Sequence, residues 1–356
     1  MRFKKFEIPY LVERPAWWQV RTDEICEIAQ NVRRGTTREL TRSFHDFPML
    51  GVYYGDFTPR PQFNNWSSAS SSHNTNTYNR RYAEPQTVVI CAGIHGSEAE
   101  GTVSAVNLIS LLETGVDLRG RKRPKLVELC GHYRLIILPC VNMDGRAISP
   151  DHLQGASYED FRKASQGYWL DGSLVGWPGC KEWFPLPLDK VVHPGGYPNG
   201  AGYNIMHDAC PGNLKTAEAA AVLKMVEQEE ADLFVNIHSC ENEPFIVEPS
   251  NINYPANYDT VKRLRQLCHD KWTETGYRTT PIPNEGKSNC VNINTAVTLA
   301  CGCPTFVFEG TVRIDCSFDA LIEMEYVLFE TVLEEGLKKR FADRGEIVKV
   351  KELAAG

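Results

Sequence analysis

Four short apolar runs in this sequence each lead into side chains able to bind a metal or move a proton. Thr87–Ala92 (TVVICA) runs into Gly93-Ile94-His95-Gly96-Ser97-Glu98, and Tyr133–Val141 into Asn142-Met143-Asp144-Gly145-Arg146. Asp232–Ile237 is followed by His238-Ser239, and Thr305–Phe308 by Glu309-Gly310. His95 and Glu98 stand three apart across an expected strand-to-helix turn. Ser97 and Glu100 have the spacing of an S-x-x-E capping box, which would place Glu98 in the first helical turn. Imidazole nitrogen and carboxylate oxygen both suit zinc, and a catalytic zinc takes three protein ligands with one position left open. Two histidines and a glutamate form one such set, and His238 is the natural third member. Glu309, close to that metal without ligating it, would take the proton of metal-activated water and pass it to a leaving amine. A hydrogen-bonded strand end would account for either histidine alone, and an ion pair with Arg313 for Glu309. Four polar strand ends together argue for one shared site.

The elements that must position these residues can be read from periodicity. The four runs are rich in Val, Ile, Leu and Phe with little alternation, as expected of strands buried on both faces. Helical patterns lie between and after them at Glu98–Glu113, Thr216–Glu230, Tyr258–Thr275 and Phe318–Lys339, with a surface helix over Arg21–Arg34 and a strand over Met49–Tyr54. Strands alternating with helices predict an α/β fold with a mostly parallel, twisted sheet flanked by helices on both faces. In such a sheet the ligand site lies beyond the carboxyl ends of the strands, where all four endings fall. Residues 59–86, rich in Ser, Asn, Pro and Arg, are expected to form a surface loop inserted in a single domain spanning 1–356. The Gly- and Pro-rich stretch Gly167–Gly212 is expected to be long loops over one end of the sheet.

Composition excludes several function classes. With 38 Lys and Arg against 45 Asp and Glu, the net charge of -7 offers no surplus to attract nucleic acid or an anionic membrane. No apolar run approaches the roughly 20 residues that span a bilayer, and no export signal is legible. The twelve cysteines contain no C-x-x-C pair. Reduced, mostly buried thiols in a cytoplasmic protein are the expectation; Cys301-x-Cys303 alone is a weak metal signal. H-E-x-x-H, G-x-S-x-G and a complete phosphate loop around Gly286-Lys287-Ser288 are absent.

His95-Gly96-Ser97-Glu98, Asn142-x-Asp144-Gly145, His238-Ser239 and Glu309 resemble, in order and spacing, the signature of the zinc carboxypeptidases (funnelins). The resemblance runs from about residue 87 to 330, with 20–57 supplying the first helix and strand. It implies one α/β/α domain, Zn2+ bound by His95, Glu98 and His238, and Glu309 as general base. Three departures qualify it. Asn204 stands where the family has the aspartate that orients its first zinc-binding histidine. Met206 and His207 stand where it has the Asn-Arg pair that grips a terminal carboxylate. No arginine lies between Arg162 and Arg263, so the carbonyl-polarising arginine has only Arg146, Arg162 or Lys181 as stand-ins. The expectation is a zinc-dependent hydrolase of a peptide or acyl-amino amide bond, with Asn204, His207 and Arg146 as candidate substrate-binding residues. A deacylase of small N-acylated amino acids and a metal-containing binding module with little catalysis are the alternatives. The intact Glu309 speaks against the binding module.

Overall fold

A computed structural model of the protein describes residues 2–58, 85–181, 185–210, 212–247, 255–282, 291–312 and 317–342. Along the chain the principal elements are α1 (Thr22–Gln30), β1 (Thr36–Arg42), β2 (Pro48–Tyr54), β3 (Thr87–Ala92), α2 (Ala99–Thr114), α3 (Pro124–Gly131) and β4 (Arg134–Leu138). There follow α4 (Met143–Ile148), α5 (Tyr158–Gln166), β5 (Tyr168–Trp169), β6 (Val191–His193), α6 (Ala217–Glu229) and β7 (Leu233–Cys240). The last are β8 (Phe245–Ile246), α7 (Pro255–Glu274), α8 (Ile293–Cys301), β9 (Thr305–Thr311) and α9 (Phe318–Lys338). Seven strands form one mixed sheet in the order β1-β2-β4-β3-β7-β9-β8. The inner four, β4-β3-β7-β9, are parallel, while β1, β2 and β8 run antiparallel at the two edges.

The continuous apolar strands divide their side chains between two cores. Val88, Ile90 and Ala92 of β3 face a core shared with α1, α2, α3, α7 and α9. Val89 and Cys91 face the opposite core, shared with α6 and α8. This period-two split is why an unbroken apolar run is needed, since each face must be covered. Burial of each Val or Ile stabilises the sheet by roughly 1.5–3 kcal/mol. Because β4 lies on one side of β3 and β7 on the other, the chain connections part at the carboxyl end of β3. That parting opens the crevice in which ligands bind in sheets of this kind.

The expected α/β sheet with helices on both faces is present, and several boundaries need correction. β1 (TTRELTR) went unread because its charged residues show no buried alternation; it is an edge strand, where such charges blunt further pairing. β7 extends through His238 and Ser239 to Cys240, and β9 through Glu309 to Thr311, so these residues belong to the strands rather than follow them. The short helices α3, α4, α5 and α8 were also unread. Residues 59–84 of the expected surface loop lie outside the described residues. Its last residue, Gln86, is buried, donating to Gly336 O and accepting from Phe341 N. Among the described residues no helix is long and apolar enough to cross a membrane.

Candidate active site

The turn after β3 brings His95 and Glu98 together by close backbone approach. A Cβ on Gly96 would lie 2.1 Å from Arg146 N, so only glycine lets this turn rest against the start of α4. Gly96 N also donates to Gly196 O at 2.7 Å. Glu98 is the N-cap of α2, at φ -85° and ψ 85°, and not in the first helical turn; its side chain makes no capping bond. The expected capping box is absent, since Ser97 Oγ has no hydrogen-bond partner. Glu100 Oε1 instead accepts from Gln154 Nε2 at 3.2 Å. The carboxylate of Glu98 is occupied elsewhere. Oε1 lies 2.8 Å from His95 Nδ1, and Oε2 lies 2.9 Å from His238 Nδ1 and 3.2 Å from Ser239 N.

His95, Glu98 and His238 are all buried, and their donor atoms lie within 4.8 Å of one another. The two Nδ1 atoms face each other at 3.2 Å. Burial opposes charge on Glu98, but the two histidines outweigh it and hold the carboxyl well below its usual range. On His238 burial opposes charge, yet Glu98 prevails and raises the imidazole above its ordinary value. On His95 burial prevails over Glu98 and lowers the imidazole below its ordinary value, so this ring favours the neutral form that can offer a metal a lone pair. Two imidazole nitrogens and one carboxylate around one point fit a divalent cation of the zinc type.

The surroundings of His95 fix how it presents its nitrogens. Asn204 Nδ2 donates to Cys180 O at 2.8 Å, and its Oδ1 accepts from Met206 N at 3.1 Å. The same Oδ1 lies 3.2 Å from His95 Nε2. With the amide donors turned to Cys180, Oδ1 can accept a proton from His95 Nε2, the tautomer that would leave the Nδ1 lone pair to a metal shared with Glu98 and His238. The ring of Tyr197 stacks on the imidazole at 3.9 Å between centroids and 16° between planes. His238 meets it edge-on at 4.8 Å and 78°.

Glu309 is the register partner of His238 across the parallel pair β7–β9, so both side chains leave the same face. It is half-buried. Its desolvated surroundings, with the carboxylates of Glu98 and Glu241, raise its carboxyl above the ordinary range although His238 opposes them.

The Asn142-x-Asp144-Gly145 motif builds the walls of the site. Asn142 caps α4 by accepting from Gly145 N at 2.8 Å, and its Nδ2 faces the carbonyls of Gly196, Tyr197 and Pro198 at 3.1–3.3 Å. Asp144 accepts from Ser43 Oγ at 2.6 Å and from Gly200 N at 2.9 Å. Together they clamp the 196–200 loop that carries Tyr197.

The structure does not give Arg146 the exposure that substrate binding requires. Its side chain is buried, and Nη2 donates to Ser149 O at 2.9 Å and to Pro150 O. Arg162 is exposed on α5. The side chain of Lys181 and the whole of Arg313 and Gly286-Lys287-Ser288 lie outside the described residues. Met206 is buried in the core, its sulfur accepting from Asn236 Nδ2 at 3.5 Å. His207 closes the 3₁₀ turn Ile205–His207, its N–H donating to Asn204 O at 3.1 Å, and its side chain is half-buried. Tyr197 escaped the sequence reading. It sits in a Gly- and Pro-rich loop, and no spacing tied it to His95.

A mixed α/β sheet with a His-Glu-His cluster at the carboxyl ends of its parallel strands defines a metallohydrolase architecture. A family model of the zinc carboxypeptidases matches residues 65–298, and the chain belongs to that family, with a metallopeptidase-like hydrolase fold and site. The match stops short of Glu309. Among solved structures, the chain is similar to a metallo-carboxypeptidase from Burkholderia cenocepacia at 13% identity and a TM-score of 0.55, covering 88% of this chain and 68% of that one. It is also similar to a metallo-carboxypeptidase from Pseudomonas aeruginosa, solved with (2-guanidinoethylmercapto)succinic acid, at 14% identity and a TM-score of 0.53. That alignment covers 88% of this chain and 67% of the other. At such identities the likeness concerns the fold. No protein of curated function matches the sequence.

Proposed function

We propose that the protein is a zinc-dependent hydrolase of a peptide or acyl-amino amide bond, with His95, Glu98 and His238 as metal ligands and Glu309 as general base. The observation that carries this reading is the convergence of the three donor atoms within 4.8 Å, with Glu309 beside His238 on the next strand. Zinc held there would lower the pKa of a water and polarise the scissile carbonyl. Glu309 takes a proton from the attacking water as its oxygen bonds to the carbonyl carbon. The carbon–nitrogen bond then breaks, and the same proton passes to the departing amine. A carboxylate in desolvated surroundings suits this exchange, because it accepts a proton readily and gives it up again.

Substrate recognition departs from that of a carboxypeptidase. With Met206 buried and Arg146 bonded to backbone, neither supplies a clamp for a terminal carboxylate. This favours peptides with a blocked terminus, and it also supports the second reading, hydrolysis of small N-acylated amino acids. A cytoplasmic setting belongs to the same proposal, and the ten cysteines among the described residues are in no disulfide. The test is a panel of free-acid peptides, amidated peptides and acyl-amino acids assayed with the zinc-loaded protein, before and after a chelator. Chelator-sensitive hydrolysis of at least one class supports the proposal. Absence of turnover with all three, at full zinc occupancy, overturns it.

A further inference from the structure

Tyr197 combines three features. Its ring lies flat on His95, at 3.9 Å and 16°. Its backbone is held at both ends, with N–H donating to Ser165 O at 3.1 Å and C=O accepting from Asn142 Nδ2 at 3.1 Å. Its hydroxyl bonds no described residue, yet it is not among the polar atoms sealed from solvent without a partner. The residue as a whole is only 9% exposed. The stack places the phenol beside the His95, Glu98 and His238 cluster. A buried tyrosine ordinarily satisfies its hydroxyl inside the protein. A ring pinned on His95, with an O–H that bonds no described residue, is free to meet a group that comes from outside.

We propose that Tyr197 is a catalytic hydrogen-bond donor of this site, its O–H directed at the substrate carbonyl oxygen as negative charge develops there. The role is that of the carbonyl-polarising cation, for which the described residues offer no evident group. A phenol, with an ordinary pKa near 10, keeps its proton at neutral pH and can only stabilise the oxygen by donating. Donors preorganised toward a developing oxyanion act most strongly where water is excluded, and loss of one costs about 10²–10³ in rate. The proposal rests on the amide-hydrolase reading above. The stacked ring also gives the residue a second duty, that of holding His95 in place. A pair of substitutions separates the two.

Tyr197→Phe keeps the stack and deletes the donor; Tyr197→Leu removes both. Three quantities are measured on each protein. They are zinc affinity by chelator competition, binding of acetohydroxamate to the zinc-loaded protein by calorimetry, and kcat and KM on whichever amide the wild type cleaves. Acetohydroxamate serves as the probe because it places an oxyanion on a zinc ion. For Tyr197→Phe the expected result is zinc affinity within about twofold of wild type and an unchanged KM. kcat should fall about 10²-fold, and acetohydroxamate should bind about tenfold more weakly. Tyr197→Leu should lose zinc affinity as well. If Tyr197→Phe matches wild type in kcat and in acetohydroxamate binding, the residue is a platform for His95 and the proposal is overturned. It is equally overturned if Tyr197→Phe loses zinc to the extent that Tyr197→Leu does. A wild type that holds zinc and acetohydroxamate but cleaves no amide would overturn the hydrolase reading instead, with the hydroxamate comparison still deciding the donor.

Discussion

Replacement of Asn204 tests whether a neutral amide can do the work of the aspartate expected beside the first metal-binding histidine. Asn204 is 3% exposed and holds three partners at once: Cys180 O, Met206 N and His95 Nε2. Asn204→Leu keeps the volume and leaves His95 Nε2–H buried without an acceptor. An orphaned buried donor costs about 1–3 kcal/mol, and its loss also frees the imidazole to place its proton on Nδ1, where a metal must bind. If that cost falls on metal binding, zinc affinity drops about 5–150-fold, which brackets the 10–100-fold typical when such a partner is removed. Asn204→Asp should act in the opposite direction. A charged acceptor bonds roughly twice as strongly as a neutral one, about 1 kcal/mol more, so zinc should bind about fivefold tighter. Yet Cys180 O then loses its donor, and the metal-free protein should melt at a lower temperature. Chelator competition gives the affinities and thermal melts of the metal-free proteins give the stabilities. A folded Asn204→Leu that binds zinc as tightly as wild type would refute the reasoning, because His95 would then need no acceptor at Nε2.

Four further outcomes are expected. His95→Ala and His238→Ala should each lose most of the bound zinc by metal analysis, since two ligands make an incomplete set. Glu309→Gln should keep its zinc and lose about 10²–10⁴ in rate, read as kcat on the cleaved amide. Matched free-acid and amidated substrates should differ little in kcat/KM, and any preference for the free acid should strengthen as pH falls through the histidine range and vanish in His207→Ala. Burial raises the Glu325 carboxyl from 4.5 to about 8. The folded protein thus holds a proton that the unfolded chain releases near 4.5, and stability present below that pH drains away as pH rises toward 8. Glu325→Gln should flatten that slope and raise the melting temperature at pH 8 by a few degrees.

Strands buried on both faces announce themselves by composition, which is why β3 and the starts of β4, β7 and β9 were legible and the polar edge strand β1 was not. The convergence of His95, Glu98 and His238 was legible for a related reason. His95 and Glu98 flank one turn, and His238 and Glu309 occupy register-matched places on neighbouring strands, so position along a strand translates directly into position in the site. Loops carry no such translation. Arg146 offered the right charge at the right motif, but only the structure reveals that its guanidinium is buried, with Nη2 on the carbonyls of Ser149 and Pro150. Tyr197 and the carbonyl of Cys180 contribute through contacts between distant, irregular segments, which no periodicity encodes.

The Asn142-x-Asp144-Gly145 motif links these two levels. Its side chains, capable of chemistry by type, are engaged instead with backbone groups, with Ser43 and with the neighbouring His45. By holding the carbonyls of 196–198 and the N–H of Gly200, it fixes one loop against the turn after β3, where Gly96 leaves room for the approach. That loop and the turn following it then touch His95 twice, Tyr197 on the ring face and Asn204 at the ring edge. The imidazole is thereby held by three groups besides any metal: a carboxylate at Nδ1, an amide oxygen at Nε2 and an aromatic face. A ligand so constrained loses little freedom when a cation binds. This is the physical basis for expecting a site whose orienting residue is neutral to remain a metal site.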